Sequence, residues 1–129
     1  MTQRISTRVL TAFALALLVI AIALGVMLHL RAATKADSRK DALSKAGIIT
    51  IETAIFGYAK VHDHDLPQSD QVSAAGLSAY LPAGVSWPVN PFTGEPMHTG
   101  VGPGDIRYDR QYDHQYTIES VGTDGTSTW

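Results

Sequence analysis

Four consecutive side chains, His62, Asp63, His64 and Asp65, have the composition of a zinc site. Imidazole nitrogens and carboxylates are good zinc ligands, but neighbours in a tight turn point apart and two or three more distant ligands are needed. A solvated turn is the expected role of this stretch, since Asp favours turns. The acids Asp105, Asp109, Asp113 and Asp124 make a better metal case, because carboxylate and carbonyl oxygens suit a hard cation. GTDG at residues 122–125 offers Asp124 and main-chain carbonyls; a capped turn is the simpler reading. Tyrosines 58, 80, 108, 112 and 116 invite comparison with a sugar-stacking platform, yet Tyr58, Tyr108 and Tyr116 fall on core positions by period. The chain has no cysteine, so thiol nucleophiles, thiolate metal sites and disulfides are excluded. There is no HExxH. The glycines at 100–104 are broken by Pro103 and open no helix, so they do not cradle phosphate. Neither an enzyme nor a small-molecule substrate is expected.

The elements that must position these residues begin with a membrane-length run. Residues 9–30, with Val9 and Leu30 at the ends, carry no Asp, Glu, Lys or Arg. As a helix such a run is ~33 Å long, enough to cross a bilayer core of about 30 Å with some tilt. It exceeds the apolar core of an ordinary secretory signal, with a signal cleaved near Ala32 and Ala33 as the alternative. The expected organisation is a short segment at 1–8, a transmembrane helix at 9–30, and a head at 31–129 that starts with a helical stem at 31–61. Those 31 residues contain no Pro, and Ala, Leu, Lys and Arg favour helix. Leu43, Gly47, Ile51, Ala54, Ile55 and Tyr58 recur at three- and four-residue steps and predict the face that lies on a sheet. Ile49 and Phe56 lie off that stripe; a wide buried face is the first reading and a subunit contact the second. The start of the stem, Lys40 included, has no such stripe and is expected to be exposed.

The helix should stop at HDHDLP, because Pro67 cannot continue it. Asp70 is the expected cap of a short helix closed by Pro82. Five of the six prolines then fall between residues 82 and 104 among glycines, which predicts an ordered loop of tight turns with a short strand at 85–87. Trp87 and Phe92 would pin it to the core. Ile106 and Tyr108 alternate with charged residues, as do Tyr116 and Ile118 with polar ones, so two strands are expected with a turn over 109–114. Each strand has one apolar face, and the hairpin must cover a core whose other layer is the long helix. The tail GTDGTSTW is read as turn-like. The fold class is therefore α+β: a transmembrane helix continuing into an amphipathic helix packed on a small antiparallel sheet.

Charge is unevenly distributed. Residues 1–30 carry +2, residues 31–60 carry +3 and residues 61–129 carry −7, for the net −2. A −7 segment repels nucleic acid and anionic lipid, whereas the basic stretch after the apolar run suits a headgroup surface. Five basic residues follow the span within about 15 positions, so the count of lysines and arginines alone would place the C-terminal part in the cytoplasm; long domains translocate largely regardless of charge, which leaves the orientation undecided.

Three stretches together resemble the type IV pilin family, and in particular the major pseudopilin of type II secretion systems. LLVIAIALGVML at 17–28 is similar to the apolar helix of prepilins. AIFGYAKVHDHDLP at 54–67 is similar to the family's helix end. WPVNPFTGEPM, GDIRY and YTIESVG resemble its loop and hairpin, through Trp87, Pro88, Asn90, Pro91, Gly94, Pro96, Gly104, Asp105, Tyr108, Tyr116 and Gly122. The resemblance implies a non-enzymatic subunit of a filament or secretion machine, with the head outside the cytoplasm and other pilin-like subunits or machine components as partners. It also implies calcium as the ion for loops near the C-terminal strands, with Asp105 and Asp124 as candidates. Two positions depart from the pattern. No Gly precedes the apolar run, and aligning on Leu17 and Leu18 puts Ala16 where the family has a glutamate that pairs during assembly. A minor subunit, or a monomeric anchored binding module built on the same fold, is therefore expected.

Overall fold

The computed structural model describes residues 7–112 and 114–128, with side chains from residue 14 to residue 126 apart from 113. Two compact units are present, Met1–Ala36 and Asp37–Trp129. Helix α1 (Thr7–Val61, 55 residues) contributes to both. In the first unit its apolar side chains, among them Leu17, Ile20, Leu24 and Leu28, are exposed. Among the described residues α1 is the one helix long and apolar enough to cross a membrane.

In the second unit α1 is amphipathic. Ser44, Gly47, Ile51, Ala54 and Ile55 are buried, with Ile48 and Tyr58 partly so. These steps of three and four keep one stripe in register with 3.6 residues per turn. Leu43, expected on this face, is 54% exposed, and Ser44 holds the position instead. One turn on, the helix comes close to the loop it covers: a Cβ on Gly47 would run into Met97 and Pro88. Ile49 and Phe56 are 65% and 73% exposed, so the face is narrow and the expected wide burial is not found. Lys40 is half-buried, with its ammonium 5.3 Å from the Phe92 ring centroid, a cation–π contact that the reading as bare stem did not anticipate.

The helix stops at Val61 as expected. Asp63 (φ 52) and His64 (φ 68) turn left-handed, a conformation Asp and His adopt more readily than most residues. The His64 N–H then donates to the Ala59 carbonyl at 2.8 Å, satisfying one of the carbonyls that every helix end leaves open. The next short helix, α2 (Ala74–Leu77), is capped by Ser73, whose hydroxyl accepts from the Gly76 N–H, and not by Asp70. Asp70 lies in a 3₁₀ turn, Ser69–Gln71. α2 places Leu77, with Val72 just before it, in the core with Leu66 and Met97.

The sheet has the order β1-β2-β3 and is antiparallel throughout. β1 (Ile106–Tyr112) pairs with β2 (Gln115–Val121), with Ile106 opposite Ser120 and Tyr108 opposite Ile118. Ile106, Tyr108 and Ile118 turn inward and meet Ile51, Ala54 and Ile55 of α1. The fold is α+β, an N-terminal helix packed on a small antiparallel sheet, and it is compatible with the pilin-like arrangement. Three details differ from expectation. β1 runs on to Tyr112 through a bulge between Arg110 and Tyr112, so the turn is tighter than 109–114. The tail supplies a third strand, β3 (Ser127–Thr128), paired to Ser120 and Val121. No strand forms at 85–87; the local pairing lies between Val89 and Pro96.

Candidate functional site

Two places on the head collect the residues singled out above. The first is the loop carrying the pilin-like sequence. Its centre is Asn90, which is fully buried. The Asn90 amide donates to the Pro103 carbonyl (3.0 Å) and to Asp105 Oδ1 (3.1 Å), and its Oδ1 accepts from the Phe92 N–H (2.9 Å). Pro88 accepts from the Met97 N–H and Trp87 Nε1 donates to the Met97 carbonyl, both closing a small hairpin around Pro91, Gly94 and Pro96. Gly104 (φ +77) fits because it lacks a Cβ, which would strike Asn90 Oδ1 and Phe92. Its N–H donates to the Val121 carbonyl and ties the loop to β2, next to Gly122. The structure thus brings together residues 87–97 and 104–105 as a hydrogen-bonded knot.

Asp105 belongs to this knot. It is buried, and its Oδ2 accepts from the Gly102 N–H at 2.9 Å. Asp124 is in an exposed turn, where the Thr126 hydroxyl and then its N–H hold the carboxyl below its ordinary range. Each calcium candidate thus serves its own loop. Asp109 lies on β1, and Asp113 falls outside the described residues. Among the described residues no group of three His, Asp or Glu side chains is placed to hold a metal.

The second place is the C-terminal end of α1 and its outward face. The HDHD stretch is divided among separate partners. His62 stacks on Tyr58 (4.0 Å between centroids) and its Nε2 lies 3.0 Å from the Tyr80 hydroxyl. Asp65 pairs with Arg110 at 2.7 Å, and Arg110 also donates to the Leu66 carbonyl. The Tyr108 hydroxyl donates to the Pro67 carbonyl, and burial pushes it up to about 12 despite the nearby Arg110. Tyr116, raised by burial and then by Glu52, lies against Tyr108. The tyrosines at 58, 108 and 116 are therefore core or core-edge residues. Beside them Phe56, Ala59, Leu66 and Tyr116 wall an open groove of about 750 Å³, with Lys60 and His114 at its rim. His114 reaches it because its Nδ1 lies 3.0 Å from the His64 carbonyl.

The groove offers apolar contact and no activated nucleophile, so it is suited to docking. Sequence reading missed it, because its walls come from the helix, the following turn and β2. The one legible sign was Phe56, apolar but off the buried stripe. Comparison with known proteins gave no matching family model, no similar curated protein and no similar solved structure.

Proposed function

We propose that the chain is a non-enzymatic, pilin-like or pseudopilin-like structural subunit of an envelope filament or secretion machine, present as a minor component and anchored by a single span with its head outside the cytoplasm. One observation carries this reading: α1 holds a membrane-length apolar stretch and an amphipathic stretch whose buried stripe packs on a small antiparallel sheet. The NPFTG and GDIRY stretches support it, since the two converge through Asn90 and Asp105. Protease added to intact spheroplasts is expected to remove the chain beyond about position 31, as the span length requires. A head protected until the membrane is opened would contradict the orientation.

A second reading, a monomeric anchored module that binds another partner, is favoured by the apolar stretch itself. A filament of one subunit needs a polar contact to register helices inside the bilayer, and a buried charge persists there only with a partner. Ala16 occupies that place here. Expressed with a pilus assembly machine and no other pilin, the protein is expected to yield no filaments in sheared supernatants examined by electron microscopy. Regular filaments of this subunit alone would restore a major-subunit role.

A further inference from the structure

The outward face of α1 in the head carries a second pattern. Ala42, Ala46, Ile49, Thr53, Phe56 and Lys60 follow one another at steps of four, three, four, three and four residues. This is the 3.5-residue repeat of a coiled-coil seam, and it lies opposite the buried stripe centred on Ile51. Ile49 and Phe56, two turns apart on this face, are 65% and 73% exposed. Thr53 spends its hydroxyl on the Ile49 carbonyl at 2.9 Å, so it is internally satisfied. Ala42 and Ala46 leave room for close approach.

Charge selects the occupant. One step before Ala42 the repeat reaches Arg39; it ends on Lys60, and the edge beside it carries Lys45 with Asp41 and Glu52, so cations hold both ends of the repeat and no acid stands on it. The one described salt bridge, Arg110 to Asp65, involves none of these cations. Two copies anchored in one membrane run parallel, which would set Arg39 against Arg39 and Lys60 against Lys60 in register. Like charges facing each other on a seam disfavour that pairing. The geometry points to a different partner: an amphipathic helix with an apolar seam and acidic flanks, docked along Ala42, Ile49 and Phe56. The inference goes beyond the proposed function and shares with it only the membrane anchor.

The test uses the full chain in detergent and two synthetic helical peptides, both with Leu at the seam positions, one flanked by Glu and the other by Lys. The acidic peptide is expected to bind at least tenfold more tightly than the basic one, more weakly as salt rises. The −7 charge of residues 61–129 favours the opposite order, so nonspecific attraction cannot mimic the result. Phe56→Ala should weaken binding at least tenfold with the thermal midpoint unchanged, which separates docking from folding. Because the chain has no cysteine, Ile49→Cys in native membranes gives a clean readout of self-pairing, and no disulfide dimer is expected. Equal binding of the two peptides, binding of neither, or a prominent Ile49→Cys dimer would overturn the proposal. A filament or protease result against the proposed function would leave the peptide experiment unaffected.

Discussion

Asn90→Ala is expected to lower the stability of the head by about 3–5 kcal/mol, because it orphans several buried groups at once. The side chain is fully buried and satisfies three partners: the Pro103 carbonyl, one oxygen of Asp105 and the Phe92 N–H. Truncation removes all three bonds and leaves a cavity. Asp105 keeps the Gly102 N–H on its other oxygen, so its desolvation is only partly compensated. Asn90→Asp should be no milder, since it replaces the donor with a second carboxylate 3.1 Å from Asp105. Thermal unfolding in detergent, followed by Trp87 fluorescence in a Trp129→Phe background, reads the effect. A loss under about 1 kcal/mol would mean that the loop is held by its hairpin alone.

The second large effect is expected at the helix face. Ile51 has no exposed surface and sits where α1 meets the sheet. Ile51→Ala should cost about 2–5 kcal/mol, the transfer of the lost methyl groups plus the cavity they leave. Phe56, five residues on and more bulky, is 73% exposed. Phe56→Ala should change stability by less than about 0.5 kcal/mol. The same unfolding measurement distinguishes the pair, and comparable losses at both would place the buried face wrongly.

Local rules made much of this fold legible. A Pro-free stretch ending before Pro67 marks the helix end at Val61, and alternation at Ile106, Tyr108, Tyr116 and Ile118 marks the hairpin. Period alone marks the stripe at Gly47, Ile51, Ala54 and Ile55, which are buried, and does not separate Leu43 from Ser44. There a large apolar residue outranks Ser44 on any hydrophobicity scale, yet Ser44 is the buried one and Leu43 is 54% exposed. β1 runs past its apolar alternation, and there Arg110 clamps Asp65 and the Leu66 carbonyl, contacts that no sequence periodicity signals. β3 is two polar residues and carries no strand signature. The Asn90 knot was visible only as a resemblance, since its meaning lies in bonds to Pro103 and Asp105, thirteen and fifteen residues away. The groove depends on three elements meeting and could not be read from any one of them.

The clasp between β1 and the end of α1 also governs the order in which the head assembles. Tyr108 to Pro67 and Arg110 to Asp65 join residues 41 and 45 positions apart. Closing a loop of that length costs entropy before any contact rewards it, while a helix propagates locally within about a microsecond. α1 therefore forms first and waits for its sheet. Until the sheet docks, Ile51, Ala54 and Ile55 lack the cover that makes them core residues. The slow, topologically distant step makes the newly made head most open to capture or misassembly, and the clasp ends that exposure.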